Sequence, residues 1–466
     1  DDLHSGTMRD TLATANAPRH LFIRILSLFF LFLNVQTLHA IGFEAKTLVI
    51  LDDPKIPHTH SIFFKDLKNR GHKLSFFSAK DRTLKAGKYG EFEYDNVILF
   101  SPSTEDFGGD FDVTHMTEFL DSGRNAMVIV DSDPTETNRE LANECGIDFD
   151  SQNTMVIDHV HHDIEGDEQG MHTKVIGKLT EDSKNIVGDI SVDTPIVYNG
   201  IGHAINDDSS LIFKVLTASP TGYSYVPGKV VKEYPESAGS DTVLVSAVQS
   251  RSNSRITFVG SREMFSNEYF NAPVKESAFA SLATPSQDAK SPAKKAGNQA
   301  FASALSKWNF REKGVLRAVN FTHQKLDGGA INPATYRVSE DLVVKLVIQE
   351  FMAESNSWEP FTHDDVQIEL VMMDPYVRAT METDGKGNYK STLKAPDVYG
   401  CYKIKISYRR PGFSAIEVMD SVSVKPYRHD EYDRFLLVAY PYYASAFSLM
   451  VGFLTFGVYF LYGKFE

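Results

Sequence analysis

The chain has 466 residues, of which 42% are hydrophobic and 23% charged, with a formal net charge of −15. The length allows two or three domains and the composition is that of a folded protein, while the charge repels polyanions and argues against nucleic-acid binding. The two cysteines, Cys145 and Cys401, stand far apart and build neither a disulfide framework nor a zinc spacing.

In chain order, Met8 is the first candidate start, so Asp1–Thr7 reads as translated upstream sequence. Arg19 and Arg24 precede the apolar run Ile25–Leu33, which is too short to span a bilayer and suits the h-region of a secretory signal. Ala40 and Gly42 supply the small-x-small pattern, so residues 1–42 are expected to be a signal peptide; an uncleaved signal anchor is the rival.

Residues 43–280 alternate strand-like and helix-like segments. Lys46–Leu51 reads as a strand, Thr59–Arg70 as a helix ended by Gly71, then Leu74–Phe77 and Asn96–Phe100 as strands. Val113–Leu120 reads as a helix and Ala126–Val130 as a strand. This alternation predicts right-handed crossovers and a largely parallel sheet, an α/β domain of Rossmann-like or flavodoxin-like type. Thr154–Ile157, Leu211–Leu216, Thr242–Ala247 and Arg255–Val259 continue the sheet, and Arg262–Phe270 reads as a short helix.

Residues 281–314 read as a linker and a docking helix. The stretch 281–299 is small, polar and lysine-bearing, and Phe301–Arg311 carries Trp308. From 315 to 430 the period changes to two. Val366, Ile368, Leu370 and Met372 share one face, as do Tyr402, Ile404, Ile406 and Tyr408, and Asp384-Gly385 marks a hairpin. Six or seven short strands predict an antiparallel β-sandwich. Residues 431–466 hold the charge-free run Phe435–Tyr462, long enough for one transmembrane helix. A translocated N-terminus followed by this stop-transfer segment places the bulk of the chain on the luminal or outer side.

Asp52 and Asp53, Glu105 and Asp106, and Asp131 and Asp133 fall just past strand ends, where an α/β fold puts ligands. They are candidates for a cleft site, although acidic strand-end loops are common in so acidic a chain. In Asp158-His159-Val160-His161-His162-Asp163 the donors suit a transition metal. On a strand His159 and His161 would face one way and His162 the other, so a third ligand such as His172 would be needed, and no metal site is assigned. Cys145 sits at a helix C-terminus, the wrong electrostatics for a nucleophile, and reads as a core thiol. Gly200-Ile201-Gly202 is a glycine pair without a phosphate-loop context. Asn320-Phe321-Thr322 is the sole N-x-S/T sequon and a possible glycan acceptor. Ala444, Ser448 and Gly452 recur every four residues, a small-residue face suited to packing by another membrane helix, beneath a belt of Tyr440, Tyr442 and Tyr443. No catalytic or cofactor-binding residue is assigned.

Four segments carry a family resemblance: Tyr94–Gly109 (YDNVILFSPSTEDFGG), Glu144–Asp150 (ECGIDFD), Asp397–Gly400 (DVYG) and Glu431–Ser448 (EYDRFLLVAYPYYASAFS). Through these the chain resembles the family of non-catalytic forty-eight-kilodalton subunits of the oligosaccharyltransferase complex, over roughly residues 44–462. The resemblance implies a type I protein of the endoplasmic reticulum membrane with its bulk in the lumen. It also implies a role in the complex that transfers a preassembled oligosaccharide from dolichyl diphosphate to asparagine. Ribophorin II-like and DAD-like subunits and a multispanning catalytic subunit are the implied partners. The Trp-Trp-Asp motif of that catalytic subunit is absent, since Trp308 and Trp358 are isolated; family members often end in a lysine-bearing tail, and the sequence here stops at Gly-Lys-Phe-Glu, through truncation or because retention comes from the complex alone. Two other readings stand beside it: a membrane-tethered luminal hydrolase using the acidic strand ends, and a free-standing luminal glycan receptor.

Overall fold

The computed structural model describes residues 45–464 apart from 83, 85–86, 89–90, 110, 166, 168–169, 189–193, 276–293, 354 and 433–435. The expected signal segment and residues 281–293 of the polar stretch lie outside the described residues. The chain divides into two compact units; the first reaches Val315 and takes in Phe351–Ser357 and Arg410–Ser414.

The first unit is built on one mixed sheet. Its main strands are β1 (Lys46–Leu51), β2 (Lys73–Ser78), β3 (Asn96–Phe100), β4 (Asn125–Ile129), β5 (Val175–Leu179), β6 (Ile196–Tyr198), β7 (Ile212–Thr217), β8 (Val243–Gln249) and β9 (Arg255–Val259). They lie in the order β6-β5-β7-β8-β9-β4-β3-β1-β2. From β2 to β9 the neighbours are parallel, and from β9 to β6 antiparallel. Two short strands, Ile147–Phe149 and His203–Ile205, attach through β8.

The longer helices that cover this sheet are α1 (Ser61–Asn69), α2 (Val113–Asp121), α3 (Glu136–Glu144) and α4 (Asn298–Asn309). Val49, Leu51, Ile98, Phe100 and Met127 pack in one cluster with Phe63 of α1 and Leu305 and Trp308 of α4. Their alternate neighbours Leu48, Ile50, Val97, Leu99 and Val128 pack in another with Phe119 of α2 and Leu141 of α3. Successive strand side chains point to opposite faces, so a strand between two helical layers must be apolar at every position. That is why KTLVIL and NVILF show no alternation. The edge strand β2 is only half buried.

The sequence treats Phe301–Arg311 as a helix docking from a linker, but α4 is a full layer of the core. Asn298 at its start exchanges hydrogen bonds with both backbone groups of Val197, at 2.9 and 2.8 Å. Trp308 near its end is fully buried, and its indole Nε1 donates to Gly412 O at 2.8 Å. The expected helix Arg262–Phe270 is a 3-10 turn, Glu263–Phe265, followed by Asn267–Asn271, with Ser266 capping the second.

Arg255 at the start of β9 is fully buried. Its guanidinium donates to Trp308 O and Lys313 O at 2.6 Å and to Gly314 O at 2.7 Å, and lies 4.7 Å from the Trp308 ring. One cation thus closes the C-terminal end of α4. Gly200 and Gly202, without a phosphate-loop role, are explained by close approach. A Cβ on Gly200 would meet Gly260 O at 2.1 Å, and one on Gly202 would meet Asp150 Oδ2 at 2.7 Å.

The second unit comprises Leu316–Glu350, Trp358–Arg409 and Ala415–Glu466. Its strands form two five-stranded sheets. The first contains Val315–Lys325, Asp341–Met352, Ser357–Pro360, Glu382–Thr383 and Asn388–Lys394. The second contains Thr335–Arg337, Gln367–Val371, Pro375–Thr380, Gly400–Tyr408 and Ile416–Lys425. Asp341–Met352 with Asn388–Lys394, Glu382–Thr383 with Asn388–Lys394, and the ladder from Pro375–Thr380 through Gln367–Val371 and Gly400–Tyr408 to Ile416–Lys425 are antiparallel, while Thr335–Arg337 runs parallel to Ile416–Lys425. The two-residue period is visible in burial: Tyr402, Ile404, Ile406 and Tyr408 are buried between less buried neighbours. Met372 departs from it. The strand ends at Val371 after a register shift between Leu370 and Val371, and Met372 is 44% exposed. Asp384-Gly385 does turn a hairpin: Asp384 Oδ1 accepts from Lys386 N and Asn388 N, and Gly385 holds φ 71°.

The final helix, α5 (Tyr440–Tyr462), follows a short 3-10 turn. With that turn it gives 26 residues, Leu437–Tyr462, long and apolar enough to cross a membrane, and none of the apolar window is buried within the described chain.

Two measurements test this account. Arg255→Met should destabilise the first unit by about 3–5 kcal/mol, since three carbonyls lose the guanidinium, Trp308 O and Gly314 O keeping a backbone N–H. Arg255→Lys should recover only part of that, because an ammonium cannot span the fork; thermal unfolding of the full chain in mild detergent reads both. The second concerns His203, fully buried with Nε2 2.9 Å from Ser246 Oγ, whose pKa burial pushes down from 6.5 to about 3. Between those values the unfolded chain binds a proton that the folded chain refuses, so stability falls as pH drops below 6.5. The loss is about 1.4 kcal/mol per pH unit. His203→Gln, which keeps a donor for Ser246, should flatten the unfolding free energy between pH 6.5 and 5 by about one proton's worth of slope.

Candidate functional site

The loops after β1 and β9 and the segments around Asp163–Lys174 and Ser266–Pro273 enclose a cleft of about 1060 Å³ in the first unit. Asp53, His60, Arg262, Glu263 and Lys174 line it, mixing both signs of charge. Lys174 reaches it while paired to the buried Asp163 at 3.1 Å and lying 5.1 Å from the Tyr269 ring. His60 is buried, with Nε2 3.1 Å from Arg262 O and Nδ1 2.8 Å from Thr59 Oγ1, and its desolvation lowers its pKa below the usual range.

Of the acidic strand-end residues Asp53 lines this cleft, and Asp52, Glu105, Asp106, Asp131 and Asp133 do not. Asp52 accepts from Ser103 N at 2.7 Å, from Ser103 Oγ at 2.8 Å and from Thr104 Oγ1, so it fastens the loop after β3. Glu105 and Asp106 are exposed, and Glu105 is engaged through its backbone carbonyl by Thr137 Oγ1. Asp131 pairs with Arg262 at 3.1 Å; burial raises its carboxyl pKa, against the Ser132 N–H and the guanidinium. Asp52 and Asp131 thus serve separate structural contacts, and Glu105 and Asp106 stand exposed. The lining residue at this edge is Asp53, which accepts from Lys55 N at 2.9 Å.

The stretch Asp158–Asp163 is an irregular turn and not a strand. Asp158 accepts from Val160 N at 2.8 Å, His161 N at 3.0 Å, Thr221 Oγ1 at 2.9 Å and Ser219 Oγ. His159 and His161 therefore do not form the strand-face pair that their spacing suggests. His159 instead meets Tyr223 Oη at 3.0 Å, and His162 and His172 come together with ring centroids 4.2 Å apart.

Cys145 caps the C-terminus of α3 and packs against the core, where burial and then Glu144 push its thiol up to about 12. Cys401 is exposed on its strand. Asn320 is exposed and holds φ 54° within Val315–Lys325. Trp358 carries Arg317 over its ring at 3.9 Å. On α5 a Cβ added at Gly452 would meet nothing within 4 Å.

The family described as "OST48, N-terminal domain" matches residues 40–312, and "OST48 middle domain" matches 323–464. The chain belongs to the OST48 family. It is 42% identical over 427 residues to the "Dolichyl-diphosphooligosaccharide--protein glycosyltransferase 48 kDa subunit" of Danio rerio, covering 91% of this chain and 93% of that one. It is 39% identical over 422 residues to the protein of the same name from Arabidopsis thaliana, covering 90% and 93%. A solved structure of the carbohydrate deacetylase Agd3 is 10% identical with a TM-score of 0.34, covering 58% of this chain and 33% of that one, too distant to carry an argument. OST48 membership accounts for residues on both units and on α5, including all four segments that carry the resemblance.

Alkylation separates the two thiols. At pH 7.5 iodoacetamide should modify Cys401 in the folded chain and leave Cys145 untouched until denaturant is added. Peptide mass spectrometry before and after unfolding checks this; rapid native labelling of Cys145 would contradict its packed, high-pKa setting.

Proposed function

We propose that this OST48-family chain is an accessory, non-catalytic subunit of the oligosaccharyltransferase complex, required for assembly and for en bloc transfer of the dolichol-linked oligosaccharide to Asn of N-x-S/T. The observation that carries this is the 42% identity to a 48 kDa subunit over 91% of the chain. Non-catalytic status is supported by there being one membrane-length apolar helix among the described residues and by the dispersal of Asp52, Glu105, Asp106 and Asp131. One span cannot enclose a lipid diphosphate.

The chain is read as a type I protein of the endoplasmic reticulum membrane, with a signal peptide in residues 1–42 and α5 as anchor. Its luminal part divides at about residue 315. The order β2-β1-β3-β4-β9 supports reading that part of the mixed sheet as flavodoxin-like, whose order is 2-1-3-4-5, and the two sheets of the second unit are read as the faces of a β-sandwich. Asn320, exposed on that unit, is read as a glycan acceptor. Ribophorin II-like and DAD-like subunits and the multispanning catalytic subunit are the proposed partners. The Ala444, Ser448 and Gly452 face of α5 is the proposed membrane contact.

Replacing Ala444, Ser448 and Gly452 together by Leu should loosen the chain from its membrane partners, because close helix approach in lipid depends on small side chains. Affinity purification through a tag on this chain in mild detergent, followed by quantitative mass spectrometry, should show several-fold loss of the multispanning and small subunits. Full retention of all of them would reject this helix face.

A further inference from the structure

The loop that links the irregular turn at Asp158 to β5 carries a donor set that the subunit role does not use. One ring nitrogen each of His162 and His172 and a carboxylate oxygen of Asp167 all lie within 4.8 Å of one another. His162 is 7% exposed, and its Nδ1 is buried without a hydrogen-bond partner among the described residues. A buried nitrogen in that condition costs about 1–3 kcal/mol unless something satisfies it. Asp167 is held in place: Oδ1 accepts from Met171 N at 2.9 Å and Oδ2 from His172 N at 2.8 Å, with His172 Nδ1 also 2.8 Å away. His172 adopts φ 55°, a left-handed conformation uncommon outside glycine, and its ring lies over His162 at 4.2 Å.

We propose that His162, Asp167 and His172 form a binding site for a zinc-class divalent transition metal, with its open side toward the cleft that Asp167 helps to line. Two imidazoles and one carboxylate are a borderline-soft set that suits Zn²⁺ and leaves a fourth position free. Ligand atoms on a tetrahedral zinc stand about 3.4 Å apart, from bond lengths near 2.1 Å. From the 4.8 Å limit the wider distances close by little more than an ångström, while Asp167 Oδ2 and His172 Nδ1, 2.8 Å apart, open by about half an ångström. The backbone N–H groups on Asp167 act as the outer shell that orients a ligating carboxylate. His159, with its ring centroid 5.0 Å from that of His172, is the nearest side chain for the fourth position, and otherwise water fills it. A bare pair of packed histidines predicts none of this binding.

The test uses the full chain in mild detergent, stripped by chelator and titrated with CoCl₂. Expected is the visible ligand-field spectrum of four-coordinate cobalt, saturating at one equivalent and erased by one equivalent of ZnCl₂. His162→Gln and His172→Gln should each abolish that spectrum, Asp167→Asn should weaken it, and His161→Gln, outside the cluster, should leave it intact. Absence of saturable cobalt binding in the wild type, or equal binding in His162→Gln, overturns the site. Should the variants misfold by circular dichroism, protection of His162 and His172 from diethyl pyrocarbonate by ZnCl₂ is read on the wild type alone. Equal modification with and without zinc then rejects the proposal.

Discussion

The buried guanidinium of Arg255 is the contact on which the first unit turns. Three carbonyls, from the last turn of α4 and from the chain beyond it, converge on the guanidinium; Trp308 O also accepts from Arg311 N at 3.1 Å and Gly314 O from Ser414 N at 2.8 Å. A neutral side chain could satisfy at most one or two, and only a planar fork with several donors reaches all three. With those carbonyls bound, α4 lies along the sheet, Trp308 sinks into the core beneath the cation, and Gly412 is drawn to the indole. The polypeptide therefore leaves the first unit at a fixed point near Val315. The start of α4 is fixed as firmly, by the amide of Asn298 on Val197, so the helix is clamped at both ends by polar side chains.

Much of this fold is legible in the sequence, for a physical reason. Strands β1, β3 and β4 are sandwiched between two helical layers, and the demand for apolar residues on both faces writes continuous runs that stand out from any loop. The second unit is legible by the opposite pattern, alternation, because its sheets bury one face. The role of α4 is not legible: a polar, lysine-bearing segment precedes it, and its contacts with β6 and Arg255 span large sequence separations. Met372 fits the alternation and yet is exposed, since a register shift is set by backbone geometry that period-two counting does not see.

The sites divide in the same way. Acidic residues past strand ends are visible in the sequence, but their hydrogen bonds are not. Asp52 is consumed by Ser103 and Thr104 and Asp131 by Arg262, while the neighbouring Asp53 and Arg262 face the cleft. The histidine segment misleads if read as a strand, because the Asp158 side chain folds it into a turn and reverses which rings meet. The one available signal is Asp158 itself, two and three residues ahead of the amides it captures, a spacing typical of side-chain-nucleated turns. Cys145 is the case where local electrostatics alone sufficed: a thiol at a helix C-terminus beside a carboxylate has no route to an easy thiolate.

The left-handed backbone at Asn320 has a practical bearing on how a glycan there would be studied. Asparagine tolerates that conformation far better than most residues, so the position is occupied by a side chain that serves the backbone as well as any sugar. The customary replacement by glutamine removes the acceptor and also installs a residue that pays about 1 kcal/mol for the same φ. A phenotype from Asn320→Gln would thus mix two causes. Removing the sequon at Thr322 instead leaves the strained position untouched, and a change seen with Gln but not with Thr322→Val belongs to the polypeptide, not to the carbohydrate.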